Sequence, residues 1–504
     1  MAVKIILLII FFASMISVGI YSRKHATNVN DFVLGGRTVG PWLTAFAYGT
    51  SYFSAVVFVG YAGQFGWKYG LASTWIGLGN AFIGSLIAWV LMGRRTRVMT
   101  QHLHAATMPD FFGKRYNSGS LRIVASAIAF IFLIPYTASV YNGLSRLFGM
   151  AFDIDYSICV IAMAILTGVY VILGGYMATA INDFIQGIIM LVGIVVVIAS
   201  VLNGQGGFTE AVKSLAQIES TAHPGAYVSF FGPDPLNLLG VVILTSLGTW
   251  GLPQMVQKFY AIKNEKAIKT GTIVSTAFAL IVSGGCYFLG GFGRLFDSEA
   301  LHNADGSVVY DAIVPSMLSS LPDLLIGIVI VLVLSASMST LSSLVLTSSS
   351  TLTLDFIKGT ICKNMKDKTQ LLIMKILIVF FILISVVIAL DPPTFIAQLM
   401  GISWGALAGA FLAPFLYGLY WKGVTKASVW ASFITGVGIT VSNMFIGFIE
   451  SPINAGAIAM IAGLIIVPIV SLITPKLNKE MVDKTFECYD EKVEVTEKTS
   501  LREK

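Results

Sequence analysis

Apolar runs of about twenty residues recur from one end of the chain to the other, separated by short polar connections. They fall near residues 3–21, 42–66, 72–92, 120–145, 154–174, 178–201, 236–257, 270–293, 322–352, 370–390, 394–420, 428–448 and 454–474. As a helix, each is long enough to cross the hydrocarbon core of a bilayer. The pattern therefore predicts about thirteen transmembrane helices, an odd number that places the two termini on opposite sides. The first run reads as a retained helix rather than a signal peptide. Arg23 and Lys24 follow it, only Lys4 precedes it, and no small-x-small cleavage site is clear.

One stretch departs from plain hydrophobicity. Residues 331–353, VLVLSASMSTLSSLVLTSSSTLT, carry no charge but are dense in hydroxyls: Ser335, Ser337, Ser339, Thr340, Ser342, Ser343 and Thr347. At about 100° per residue, a helix places Ala336, Ser339, Thr340 and Ser343 on one face, with Ser342 at its margin. Two readings are open. Small hydroxylated residues allow close helix packing and bond back to their own helix. They also offer uncharged hard oxygens to a small hard cation.

Two of the predicted helices are interrupted in matching ways. The second carries Gly49, Thr50 and Ser51 near its middle; the seventh carries Gly248, Thr249, Trp250, Gly251, Leu252 and Pro253. Glycine loosens a helix and proline removes a donor, so both places free main-chain carbonyls. With the first helix set aside, the interval between the breaks is five helices. Two five-helix repeats of inverted orientation follow, each with a broken first helix, as in transporters whose sites lie at the breaks. Two independent kinks are the alternative.

Composition agrees with the membrane reading. Of 504 residues, 56% are hydrophobic and 12% charged, and the mean hydropathy is +0.82. A soluble protein is about a quarter charged. The class is an all-α polytopic membrane protein. The net charge of +6 is dispersed among loops and gives no sign of nucleic-acid binding. The four cysteines, Cys159, Cys286, Cys362 and Cys488, show no metal or disulfide spacing. With the N-terminus outside, cytoplasmic loops fall near 22–41, 93–121, 258–269, 353–369, 421–427 and after Pro475. Counting those at adjacent helix ends, they hold roughly 27 of the 32 Lys and Arg residues, which places the C-terminus in the cytoplasm of a cell membrane protein. The charged segment after Pro475 is expected to be mobile.

Among ionisable groups, Asp183 stands out, in ATAINDFIQGIIML. Near the core, a carboxylate must face a cavity or a cation; at the surface, it is a helix N-terminal charge. Asp31, Asp110, Asp297, Asp305 and Asp355 are expected in solvated loops, with Asp153 and Asp155 capping the fifth helix. His102 and His104 lack partners at metal spacing. Tyr52, Phe53, Tyr136, Tyr141 and Trp250 lie within or near helix middles, where they either line a solute pocket or pack.

At this point four ordered segments resemble the sodium:solute symporter family over about residues 5–475. They are DFVLGGRTVGPWLTAFAYGTSYFSAVVFVG at 31–60, GGYMATAINDFIQG at 174–187, GLPQMVQKFYA at 251–261 and SASMSTLSSLVLTSSSTLTLDFIK at 335–358. The resemblance implies a five-plus-five inverted repeat of the sodium/leucine-transporter type. It divides the transporter domain 1–475 into an extra helix at 3–21, repeats at 42–200 and 236–420, and extra helices at 428–474, followed by the tail 476–504. It implies sodium held by the carbonyls of Thr50, Phe53 and Ala336 and the side chains of Ser339 and Thr340. A further sodium, as in some members, would use Asp183, Ser339, Ser342 and Ser343. Tyr52, Ser54, Tyr136, Thr249 and Trp250 would line the solute pocket. Proline-transporting members carry an aspartate where this chain has Tyr52, and a Trp and a Tyr where it has Thr245 and Thr249. These departures speak against proline, while other amino acids, sugars, sialic acid, monocarboxylates and pantothenate stay open.

The expected function is sodium-coupled symport of a small organic solute into the cell by alternating access, with a monomeric state permitted and no enzymatic activity. Moving one charge through 100 mV supplies about 2.3 kcal/mol, and a tenfold sodium gradient adds about 1.4. Together these support a solute gradient of a few hundredfold. Gly35, Gly36 and Arg37 are expected to shape the cytoplasmic loop. A proton-coupled carrier on the same fold would need Asp183 to titrate. A transporter-like sensor would carry more than about thirty polar residues after Pro475. No HExxH, nucleophile elbow or P-loop supports an enzyme.

Overall fold

Residues 2–23, 26–51, 53–152, 155–391 and 396–490 are described by the computed structural model of the chain. Main-chain polar groups have no water to bond in hydrocarbon, so spanning segments close their own hydrogen bonds as helices. Among the described residues, β-type pairing is limited to isolated bridges, Val39 with Ile262 and His302 with Val308.

The main helices are α1 (Ala2–Ser22), α2 (Pro41–Ser51) and α3 (Ala62–Tyr69), the last preceded by a π-helical turn, Val56–Tyr61. α4 begins at Thr74–Gly79, passes through π-helical Asn80–Ile87 and Trp89–Gly93 and ends in Arg94–His102. Then come α5 (Gly119–Phe152), α6 (Tyr156–Gly204), α7 (Pro235–Leu247), α8 (Pro253–Tyr260) and α9 (Glu265–Gly290). α10 (Asp323–Thr351) continues into π-helical Leu352–Ile361, and α11 (Asp367–Leu390), α12 (Ile396–Tyr420), α13 (Lys426–Ile446) and α14 (Pro452–Ile473) follow.

Among the described residues, ten helices are long and apolar enough to cross a bilayer, or eleven when α7 and α8, bent by 41°, count as one broken span. Two of the ten, Val56–His102 and Tyr156–Gly204, run for 47 and 49 residues. About twenty residues suffice for one crossing. Each of the two is divided at a left-handed glycine: Gly70 (φ 59°, ψ −139°) and Gly175 (φ 55°, ψ −147°). Division there recovers the thirteen apolar runs. A side chain at Gly175 would also come within 2.8 Å of the Phe32 carbonyl. Gly175→Ala is therefore expected to lower stability by about 2 kcal/mol or more, from the left-handed backbone and the contact together. Thermal unfolding of the purified protein reads this, with Gly204→Ala as control, because a Cβ there meets nothing within 4 Å.

α10 is the centre of the bundle. Every residue from Leu332 to Thr351 is buried, so this helix has no lipid-facing side. It packs on α1, α5, α6 and α11. Lys4 of α1 pairs with Asp323 at the start of α10 at 3.0 Å and donates to the Ala151 carbonyl at 3.3 Å, so α1 is an integral element. The outer helices present exposed apolar side chains such as Ile165, Val192, Ile273 and Phe445, as a lipid-facing surface requires.

Three sequence expectations change. The segment after Pro475 is packed as far as residue 490. Helix α15 (Lys479–Phe486) pairs Asp483 with Lys422 at 2.6 Å, Cys488 is buried, and Arg95 stacks on Tyr420 and Tyr489 at 4.1 and 4.4 Å. Asp355 is buried within the helical continuation of α10 and accepts a 2.5 Å hydrogen bond from Thr107; Asp110 is buried beside Lys114. Lys258 lies inside α8 and is 2% exposed, so it does not belong to a cytoplasmic loop. Asp155 caps α6 by accepting from the Ser157 amide at 2.8 Å, whereas Asp153 lies outside the described residues.

Candidate functional site

The first break follows from the end of α2. The last carbonyls of a helix have no internal donors, and α2 stops at Ser51. The Phe53 amide reaches back to the Thr50 carbonyl at 3.2 Å. Beyond the break, the Ala55 amide donates to Ser337 Oγ at 3.2 Å, so α10 caps the helix that restarts there. Tyr52 lies outside the described residues.

Facing this break, α10 brings its hydroxyl face. Ser339 Oγ donates to the Thr50 carbonyl at 3.0 Å and to the Ala336 carbonyl at 3.0 Å. Thr340 Oγ1 lies 3.5 Å from the Thr50 carbonyl, 3.2 Å from that of Phe53 and 3.1 Å from that of Ala336. All five residues are buried. Three carbonyls and two hydroxyls thus converge, none of them charged. In this arrangement the hydroxyl protons satisfy the carbonyls. A small cation would take the lone pairs of all five oxygens and turn those protons outward.

The four residues expected around a further sodium do not assemble in the same way. Ser339 is committed to the first break, and Ser342 Oγ donates to the Ser339 carbonyl at 2.9 Å. Asp183 and Ser343 meet the ammonium of Lys258 instead. Nζ donates to Ser343 Oγ at 3.0 Å and lies 3.6 Å from Asp183 Oδ2. Ser343 in turn shares a 3.0 Å hydrogen bond with Ser51, next to the first break. The cause is electrostatic: a carboxylate this deeply buried requires a counter-charge, and Lys258 supplies it. Of the two sequence readings of Asp183, this is the one in which it faces a cation. Its signal is a lysine just past the apolar run that carries the second break, but positive charge at the end of such a run reads as loop.

The second break is held against α12 and α4. A side chain at Gly248 would meet Trp404 at 2.9 Å, and one at Gly251 would meet the Ala408 main chain at 2.8 Å. Thr249 Oγ1 donates to the Gly84 and Ser246 carbonyls at 3.1 and 2.9 Å, and Trp250 Nε1 to the Ile83 carbonyl at 3.1 Å. Their polar atoms therefore tie the break to the π-helical part of α4. Thr245 bonds back to the Val241 carbonyl at 2.9 Å.

Ser54 and Tyr136 are both buried, and Ser54 Oγ accepts from the Val56 amide at 3.2 Å. Tyr136 follows Pro135, the one proline inside α5, and its ring meets that of Trp404 edge to face at 5.9 Å. The Tyr136 hydroxyl and Trp404 Nε1 are buried without a closed hydrogen bond, as is the Tyr61 hydroxyl. Trp404, which sequence reasoning did not select, thus joins Tyr136 to the second break. Its signal is the small-residue setting GISWGALAGAF, which lets an indole sit close to neighbouring main chain.

Between α1 and α2, Gly35, Gly36 and Arg37 all have positive φ. The Arg37 guanidinium donates to Thr100 Oγ1 at 3.2 Å and to the carbonyls of Tyr260 and Ala105 at 3.2 and 2.5 Å. Burial draws its pKa down to about 10, which leaves it charged at neutral pH. These residues shape the loop as expected.

The chain is similar to known proteins over most of its length. The family model for the sodium:solute symporter family matches residues 32–436. Sodium/proline symporters of Staphylococcus aureus, from strains JH9 and NCTC 8325, are 30% identical over 500 residues, covering 94% of this chain and 93% of theirs. A sodium-coupled sialic acid symporter, solved substrate-bound and outward-open, superposes with a TM-score of 0.77 at 16% identity, covering 94% of this chain and 98% of that one. A nucleobase-cation-symport-1 family transporter, solved in a closed conformation, gives 0.53 at 12% identity over 91% and 98%. The fold is thus the inverted-repeat transporter fold of the sodium/leucine type, and the molecule is a multi-pass membrane protein that couples sodium to the movement of a small organic solute. The chain belongs to the sodium:solute symporter family.

Proposed function

We propose that sodium bridges the first break to α10, held by the carbonyls of Thr50, Phe53 and Ala336 and the hydroxyls of Ser339 and Thr340. The observation that carries this is the approach of Ser339 and Thr340 to the Thr50 and Phe53 carbonyls at 3.0 and 3.2 Å across nearly 290 residues of sequence. The ion joins α2 of the first repeat, 42–200, to α10 of the second, 236–420. By drawing these together it forms the wall that the solute meets. Each ligand then raises affinity for the other, since coupling is reciprocal. The solute is an amino acid, sugar, carboxylate or similar small molecule. It lies beside Ser54, Tyr136 and Trp404, whose hydroxyl and indole groups supply hydrogen bonds and flat apolar surface. Thr249 and Trp250 act as supports of the second break.

A thermal-shift screen of the purified protein against metabolites, with and without sodium, identifies the solute, because a ligand that binds only the folded state raises its melting point. Uptake of that solute into proteoliposomes is then expected only with sodium present, and fastest with an inward sodium gradient. Uptake that persists in choline at acidic pH would replace sodium by protons. Tyr136→Phe is expected to raise the KM for the solute about tenfold, the cost of one buried hydrogen bond of about 1.4 kcal/mol, while the sodium dependence stays as in the wild type.

The N-terminus lies outside and the tail 476–504 in the cytoplasm of the cell membrane in this reading. Cys362, exposed between the α10 continuation and α11, reports it without mutagenesis, because the other three cysteines are buried. A membrane-impermeant maleimide is expected to label inside-out vesicles and spare right-side-out ones.

A further inference from the structure

We propose that the Lys258 ammonium is a resident cation: it takes the place that a second sodium would need at Asp183 and Ser343, so that each chain binds one sodium ion. The proposal rests on the sodium site described above.

Lys258 is the sixth residue of α8, the helix that starts directly after the second break with Pro253 in its first turn. Its side chain runs inward to α6 and α10. There Nζ donates to Ser343 Oγ at 3.0 Å, lies 3.6 Å from Asp183 Oδ2 and stands 5.1 Å from the centre of the Tyr176 ring. The Lys258 and Asp183 side chains are 3% and 0% exposed, so water screens neither. One carboxylate and a hydroxyl, with an aromatic face beside them, hold a single positive charge.

A sodium ion at the same carboxylate would need those same oxygens and would lie against the ammonium. Two positive charges would then share the single negative charge of Asp183 in a medium of low dielectric, where like charges repel strongly. The other two oxygens of the expected set do not relieve this. Ser339 serves the first break, and Ser342 donates to the Ser339 carbonyl. The tethered ammonium also differs from an ion in that it cannot leave. It links α8, α6 and α10 continuously, and through Ser343 and Ser51 it reaches the end of α2. One sodium, and no second ion, then accompanies the solute.

Equilibrium binding of radiolabelled sodium to the purified full-length protein tests this without knowledge of the solute. The wild type is expected to bind one sodium per chain. Lys258→Met, which frees Asp183, is expected to bind two, and Lys258→Met with Asp183→Asn to return to one. Ser339→Ala with Thr340→Ala in an otherwise wild-type chain is expected to bind well under one at the sodium concentration that saturates the wild type. Two sodium ions per wild-type chain would overturn the proposal and leave the first site standing; none would overturn both. A monodisperse Lys258→Met protein that binds only one would also overturn it. If that variant does not fold, the wild-type count decides, and Lys258→Arg, which keeps the charge, is expected to bind one.

Discussion

Replacing Ser339 and Thr340 together by alanine is expected to raise the sodium concentration for half-maximal uptake by about 100-fold or more. A hydrogen-bonding group that serves a charge contributes about 1.5–3 kcal/mol. At 1.4 kcal/mol per decade, each hydroxyl accounts for about tenfold to 100-fold. The two act on one ion from one helix face, so their effects will not add simply. The control is Thr340→Ser, which keeps the oxygen and loses a methyl, and is expected to stay within about threefold of the wild type. A role in helix packing alone predicts a different result. The double variant would then melt at lower temperature with an unchanged sodium requirement, because the two hydroxyls would merely lose their bonds to the Thr50, Phe53 and Ala336 carbonyls. Measuring sodium dependence and melting on the same preparations separates the two.

Asp183→Asn is expected to destabilise the bundle by about 3–5 kcal/mol, because it leaves the Lys258 ammonium buried and without its counter-charge. The structure also places that ammonium near the proposed sodium. Its partner Ser343 stands one turn beyond Ser339 on α10, about 6 Å away. At a separation of about 7 Å and an effective dielectric near 20, an unpaired charge opposes the ion by roughly 2 kcal/mol, or about thirtyfold in affinity. Asp183→Asn is therefore expected to weaken sodium binding at a site it does not touch. Combining it with Lys258→Met removes both charges and is expected to restore most of the stability and the affinity. If Asp183→Asn leaves both the melting temperature and the sodium affinity at wild-type values, the pair carries no such charge balance.

Much of this molecule was legible in the order of its residues. Helix number, the two breaks and the hydroxyl face of α10 follow from hydropathy, from Gly and Pro positions and from helical periodicity, all of which are local. So does the membership of Thr50, Phe53, Ser339 and Thr340 in one group, once the four motifs are aligned with the family. Lys258 was not legible. A charge six residues into a short helix looks the same whether the helix end meets water or turns into the bundle. Asp183 alone could not say which cation it faced. Thr249 and Trp250 were chosen by their place in a break, and nothing in their own segment shows that Gly84 and Ile83 of α4 consume their donors. Trp404 was missed for the same reason, since its neighbours Tyr136 and Gly248 come from two other helices.

Residue order alone establishes that the chain crosses the membrane many times, that two spans are interrupted and that one helix offers oxygen without charge. Hydrophobic length and backbone chemistry act within a segment, so they can be read within a segment. Which oxygens share a point in space, and which buried charge answers Asp183, emerges from the folded bundle. Those outcomes depend on the approach of α2, α6, α8 and α10 from distant parts of the chain, and on the requirement that a charge removed from water find its opposite within a few ångströms.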